Sequence, residues 1–277
     1  MKSTNFFDWK GKRSHEKHGK AEFDLPIFYY RDDLFLGFFT ADLKKVKEVL
    51  PSKDLHPVIF GPGKAIVVIG AFYYINTSIG PYGEIPVGIP VVWKTPSIPF
   101  IPALMEKYYP GFGIFVMHLP VTSIIARDAG RGVWNYPKFV ADMRFKNTPE
   151  YISVDMEEDG NYILGLKIDK KGIILRDNRP LVTYTEKDGY IIRTEIPVRG
   201  IYMTCIRPGA GRLDLGDHPV SRTIKELGVG KTPVITRYYV ERSAILPEGE
   251  IVGKSDRRYM GYMGKDIDQA ELTMEYL

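Results

Sequence analysis

Apolar residues along the chain change rhythm often, and mostly in the short periods of extended structure. The run IFYYRDDLFLGFFT (residues 27–40) is aromatic and partly alternating, which predicts a strand. In ADLKKVKEVLP, Leu43, Val46, Val49 and Leu50 fall on one helical face, lysines fill the other, and Pro51 ends the helix. AIVVIGAFYYIN (65–76) is nearly continuous in β-branched and aromatic residues, as expected of a strand covered on both faces. The segment 85–102 carries five prolines, at 86, 90, 96, 99 and 102, and reads as stiff loop or edge structure forming a wall or lid. GIFVMHLPVTSIIARDAG (113–130) reads as further strand. Between about 150 and 205, EEDGNY, DKKG, RDNRP and EKDGY supply recurrent hairpin turns. GDHPVSRTIKELGVG predicts a short helix closed by Gly228, and TRYYVERSAILP another strand.

No repeat and no low-complexity linker divides this pattern. The expectation is a single β-rich α+β domain over 23–277, a barrel-like or cone-shaped sheet with a few helices, preceded by a basic tail over 1–22. Six basic residues lie in the first twenty, without the apolar centre of about seven residues that a signal peptide needs. The net charge is only +4, from 38 basic and 34 acidic residues, which gives little support to a nucleic-acid partner. No stretch of 18 apolar residues offers a membrane span, and the single cysteine, Cys205, rules out an intrachain disulfide. The cytoplasm is the expected location.

Several familiar motifs break down on inspection. GVGKT has Lys225 where a phosphate-binding loop opens with glycine, and GPGKAI lacks the third glycine of a dinucleotide fingerprint. HEKH is one residue short of HExxH, so its histidines are not one helical turn apart. No G-x-S-x-G nucleophile elbow occurs. Neither a metal nor a nucleotide cofactor is therefore expected.

One lysine then stands out. GRGVWNYPKFVAD (130–142) places Lys138 behind a Tyr-Pro corner among Trp134, Tyr136, Phe139, Val140 and Ala141. A free lysine has a pKa of about 10.4, so roughly one in 2,500 is a nucleophile at neutral pH. Burial lowers that value by up to about 3–5 units, and the iminium that a free amine forms with a ketone is an electron sink. Either the ammonium reaches water over an apolar stem, or its burial serves Schiff-base chemistry.

GRGVWNYPKF resembles the active-site segment of the acetoacetate decarboxylase family, in which a Gly-Arg pair precedes a Tyr/Phe-Pro-Lys-Lys corner. Gly130, Arg131, Tyr136, Pro137 and Lys138 match in order and spacing. TSIGPYGE resembles the family segment that ends in a catalytic-site glutamate, here Glu84. GRLDLGDHPVSRTIKEL is similar to its C-terminal stretch through Arg212, Leu213, Leu215, Asp217 and His218, and DLKKVKEVLP to a family helix. The resemblance implies a cofactor-free lyase in which Lys138 forms the Schiff base and Glu84 moves protons. It implies decarboxylation of a β-keto acid such as acetoacetate, with two alternatives: a Schiff-base aldolase-dehydratase acting on pyruvate and an aldehyde, or an inactive small-ligand-binding member. It also implies Tyr136 and Phe139 in the pocket wall and a homo-oligomer. The substrate carboxylate would meet Arg31 or Arg131. Three positions depart from the family: its second lysine is Phe139, a further glutamate is Ile69, and the helix register places its carboxylate-binding arginine at Asp32, one residue past Arg31.

Overall fold

The computed structural model describes residues 5–96, 109–265, 267–268 and 270–277. An antiparallel hairpin, β1 (Ser14–His18) and β2 (Ala21–Leu25), opens the fold. There follow β3 (Ile27–Asp42), α1 (Leu43–Val49), β4 (Leu55–Pro57), β5 (Ile59–Gly61), β6 (Lys64–Thr77), β7 (Tyr82–Glu84), β8 (Val87–Trp93) and β9 (Phe112–His118). A second helix, α2 (Ile124–Trp134), leads into β10 (Asp142–Asn147), β11 (Tyr151–Glu158), β12 (Asn161–Asp169), β13 (Ile173–Asp177), β14 (Leu181–Lys187) and β15 (Tyr190–Ile196). The chain ends with β16 (Val198–Cys205), β17 (Gly211–Leu215), α3 (Pro219–Glu226), β18 (Ile235–Leu246), β19 (Glu250–Lys254) and β20 (Leu272–Tyr276).

Thirteen strands form one large sheet whose main path runs β13-β16-β18-β3-β6-β8-β9-β14-β15-β19, and β17-β12-β11-β10-β20 form a second sheet. The large sheet curls without closing: strands from both of its halves line one cavity, yet β13 and β19 stay unpaired with each other. Its convex face packs on the five-stranded sheet, burying Phe35, Phe39, Val67, Ile69 and Phe115 against Met143, Phe145, Val154 and Leu166. The concave face holds the cavity.

Strand β6 explains its own composition. Val67, Ile69 and Ala71 enter the core, while Val68, Gly70, Phe72 and Tyr74 alternate onto the cavity. Strand side chains point to opposite faces in turn, so a strand between two apolar spaces needs no polar face. The family's second glutamate position, Ile69, is thus a core residue, fully buried.

Three expectations are corrected. Residues 87–93 form strand β8 inside the large sheet; its Pro90 supplies only a carbonyl, which accepts from the Val58 N–H at 2.8 Å. The rest of the proline-rich stretch, from 97 onward, lies outside the described residues. The expected strand over 113–130 ends at His118 and gives way to α2, whose N-cap Ser123 accepts from the Ala126 N–H at 3.3 Å. Finally, the segment assigned to a tail through residue 22 contains β1 and the start of β2, with Ala21 and Phe23 buried against the body of the fold.

Candidate active site

Helix α2 ends where the lysine corner begins. Asn135 caps it in the left-handed conformation (φ 53°), a state asparagine tolerates better than most residues, and donates its N–H to the Arg131 carbonyl. Tyr136 N–H then bonds the Gly130 carbonyl at 3.1 Å, so Tyr136-Pro137-Lys138 doubles back along the helix end. The motif's Gly-Arg pair now has a physical reason. A Cβ on Gly130 would lie 2.5 Å from Cδ and 2.6 Å from Cε of Lys138, so only glycine lets the lysine stem lie on the helix. Arg131 Nε donates to the Lys138 carbonyl at 2.7 Å, and its Nη2 to the Met263 carbonyl, clamping the corner from outside.

Lys138 and Glu84, 54 residues apart in sequence, are brought together by Val121. Val121 bridges Glu84 on one side and Val140 on the other, donating to nothing but backbone: its N–H bonds the Phe139 carbonyl, and its own carbonyl accepts from Ala141 N–H. The result is a hydrogen-bonded ion pair, Lys138 Nζ to Glu84 Oε2 at 2.7 Å, with the two side chains only 4% and 9% exposed. Tyr74 donates to Glu84 Oε1 at 3.2 Å. The rings of Tyr82 and Tyr136 stand 5.7 and 5.9 Å from Nζ, and Tyr29 and Tyr82 share a hydroxyl contact at 2.9 Å. Burial, helped by the Glu84 charge, holds Tyr29, Tyr74 and Tyr82 above the usual phenol range, and burial does the same at Tyr136. All four remain neutral hydroxyls beside the amine.

The other expected site residues fall as follows. Tyr136 lines the cavity and bonds Thr183 at 2.7 Å. Phe139 is buried but does not line the cavity; it packs edge-on to Tyr262 at 5.0 Å and over His218 at 6.1 Å, in the core behind the lysine. The cause is alternation after the turn: Lys138 faces the cavity, so its neighbour faces away. Behind Phe139, the buried Glu158 accepts from Tyr262 at 2.6 Å and contacts His218 at 3.0 Å, so a second lysine here would meet Glu158 and His218 rather than Lys138. Arg131 braces the corner outside the cavity. Strand β3 bulges on both sides of Arg31, and the bulge leaves Arg31 exposed on the outer surface while Asp32 turns inward.

Four arginines line the cavity, Arg179, Arg193, Arg237 and Arg242, and the one lying over Phe72, the backbone partner of Glu84, is a residue that sequence reasoning did not single out. Arg242 of β18 is 4% exposed, lies 4.9 Å over the Phe72 ring, and bonds Asp32 Oδ2 through Nη1 at 2.7 Å. Asp32 Oδ1 has no hydrogen-bond partner among the described residues. Burial pushes the Asp32 carboxyl up to about 6 despite the arginine beside it. Its signal in the sequence was the misfit itself: an aspartate standing in an arginine's place calls for a cation from elsewhere.

The family model for acetoacetate decarboxylase matches residues 15–255. The chain belongs to the acetoacetate decarboxylase family. Among solved structures, an acetoacetate decarboxylase from Legionella pneumophila superposes with a TM-score of 0.65 at 16% identity, over 90% of this chain and 94% of that one. A second acetoacetate decarboxylase structure gives 0.64 at 18% identity, over 83% and 90%. The enduracididine biosynthesis enzyme MppR, complexed with pyruvate, gives 0.61 at 12% identity, over 83% and 91%. No curated protein sequence matches the chain. At these identities the shared property is the fold. No helix among the described residues is long and apolar enough to cross a membrane, and no described cluster of His, Cys, Asp and Glu could hold a metal ion.

The helix glycine makes a first test. Gly130→Ala adds a methyl where the Lys138 stem lies, so Nζ must leave its place on Glu84. A displacement of about 1 Å at a reacting atom costs roughly 10²-fold in rate. The expected result is a comparable loss in the rate of Schiff-base formation together with a lower melting temperature, because separating the buried pair outweighs the gain of about 0.5–1 kcal/mol that alanine brings to the helix. Unchanged rates would mean that the lysine stem has another route.

Proposed function

We propose that this family member is a cofactor-independent Schiff-base lyase that decarboxylates a β-keto acid of the acetoacetate type. The observation carrying this reading is the buried Lys138–Glu84 contact at 2.7 Å on the wall of a deep cavity. Transfer of one proton from Nζ to Glu84 frees the amine, which attacks the ketone carbon. The Glu84 carboxyl returns the proton to the carbinolamine oxygen, and water leaves to form the iminium. Loss of CO2 sends its electron pair into the iminium as an enamine. Protonation at carbon and hydrolysis then release the ketone and restore Lys138. Tyr74, hydrogen-bonded to Glu84, holds the carboxyl in position throughout.

Arg242 is the group best placed to receive the substrate carboxylate. A second reading follows from the likeness to MppR, one of whose structures holds the condensation product of pyruvate and imidazole 4-carboxaldehyde. The same lysine would then condense a pyruvate enamine with an aldehyde. Two features favour it: no carboxylate stands at Ile69, and the buried residue beside Arg31 on β3 is Asp32 instead of an arginine.

Borohydride reduction in the presence of acetoacetate, and separately of pyruvate, is expected to add stable mass to the peptide carrying Lys138. CO2 release from acetoacetate and aldehyde consumption with pyruvate then separate the two readings. Labelling at any other lysine overturns both.

A further inference from the structure

The cavity exceeds what the chemistry at Lys138 requires. Its volume is about 360 Å³. A water in the liquid occupies about 30 Å³, so the space equals roughly a dozen waters, far more than acetoacetate or pyruvate fills. Strand register gives this space a direction. On β6, Tyr74, Phe72, Gly70 and Val68 stand in line, and on β3 they face Asp32, Leu34, Leu36 and Phe38. The reactive end is at Tyr74 and Phe72, because Tyr74 bonds Glu84 and Phe72 is the backbone partner of Glu84.

From Phe72 to Val68 the strand advances about 13 Å, at about 3.3 Å per residue. Every side chain that β3 and β6 place along that stretch is apolar. Gly70 sits midway, where a Cβ would stand 3.1 Å from Leu36 Cβ, so the missing side chain keeps the passage open. Ile114 and Val182 close the far side of the same cavity. Past Phe38, the Arg237 guanidinium lies 5.0 Å over the phenylalanine ring and marks the polar limit of the passage. Between Phe72 and Val68, β3 and β6 thus present no charge, and the other charged residues of the lining are paired with each other, Arg179 with Asp177 and Arg193 with Glu195.

We infer that the substrate is a keto acid with an extended apolar chain or an arylalkyl group, long enough to fill the passage from Phe72 to Val68. At about 1.25 Å per bond of an extended chain, a tail of roughly ten carbons spans that length. This rests on the Schiff-base reading above for the position of the ketone, which sits at Lys138 with the carboxylate toward Arg242. The tail then lies between Leu36 and Val68, where it replaces water against apolar side chains.

A straight-chain series of 3-oxo acids, from acetoacetate to 3-oxotridecanoate, tests this through borohydride trapping at Lys138 and CO2 release. KM is expected to fall about fourfold for each methylene added. Octanoate, which has no ketone, is expected to bind the unmodified protein in calorimetry where acetate does not. Val68→Phe, and independently Leu36→Phe, are expected to flatten the dependence on chain length. A Lys138 adduct that forms as readily with acetoacetate as with 3-oxooctanoate overturns this inference and leaves the Schiff-base reading intact. Octanoate binding that Val68→Phe weakens, without a trapped adduct from any acid, supports the apolar passage and overturns the Schiff-base reading. Failure of both octanoate binding and trapping overturns the two together.

Discussion

Lys138→Met is expected to abolish the borohydride adduct and to lower turnover by on the order of 10⁴-fold, yet to fold better once Glu84→Gln is added. The reason is the setting of the pair, whose side chains are 4% and 9% exposed and 2.7 Å apart. Removing one partner from such a pair strands the other charge in the interior, at about 3–5 kcal/mol. Replacing both by neutral residues of similar size removes the stranded charge, so the double variant recovers part of that loss. Activity follows the opposite logic, since the nucleophile is absent from the single and the double variant alike. Denaturant unfolding of all four proteins, read beside the trapping yield, separates the two effects. Strictly additive stability losses would show that the pair is not coupled, and an adduct that survives in Lys138→Met would place the nucleophile elsewhere.

The second large effect concerns Arg242 and Asp32. Arg242→Met is expected to raise KM for keto acids by about 10- to 100-fold, the value of a charge-assisted hydrogen bond of about 1.5–3 kcal/mol. Asp32→Asn is expected to lower it, because the aspartate competes with the substrate for the guanidinium. The pH dependence follows from the Asp32 carboxyl, pushed up to about 6 from the ordinary 3.8 by burial. Below about 6 the carboxyl is neutral and the full charge of Arg242 faces the cavity. Above it the pair is internally compensated. KM for a keto acid should therefore rise as pH increases through about 6, and this inflection should vanish in Asp32→Asn. For folding the sign is as follows: the raised value makes the contribution of this group fully present below 3.8 and lost as pH climbs through about 6. An inflection that persists in Asp32→Asn would assign it to another group.

The lysine corner was legible in the sequence because its chemistry is local: Gly130, Arg131, Tyr136, Pro137 and Lys138 act on one another within nine residues. The β-rich class was legible for a similar reason, since hairpins such as Glu158-Asp159-Gly160-Asn161 announce themselves by residues that accept positive φ, here Asp159 at 51° and Gly160 at 72°. Helix α2 was hidden by its own packing. Its Ile124 and Ile125 favour strands, and its Gly130 and Gly132 are poor helix formers kept for close approach, one to Lys138 and the other to the ring of His18. Strand β8 was hidden by Pro86 and Pro90, which local rules place outside a sheet interior; here the partner on one side changes from β6 to β4 near Pro90, where no donor is needed. Phe139 and Arg31 failed as pocket residues for one reason: which face a residue takes beside a turn or bulge is set by backbone geometry, and a one-residue error reverses it. Arg242 carries no local mark at all, because its partner Asp32 is 210 residues away.

The bridging role of Val121 has a kinetic side. Its backbone ties the segment holding Glu84 to the segment holding Lys138, and neither segment reaches the other alone. Contacts between distant parts of a chain form late, since loop closure must precede any gain from them. An unfinished chain therefore presents an ordinary, hydrated lysine to the aldehydes and ketones around it. On the proposed Schiff-base reading, the amine would gain its partner Glu84, and with it its reactivity, only once the contact through Val121 has formed.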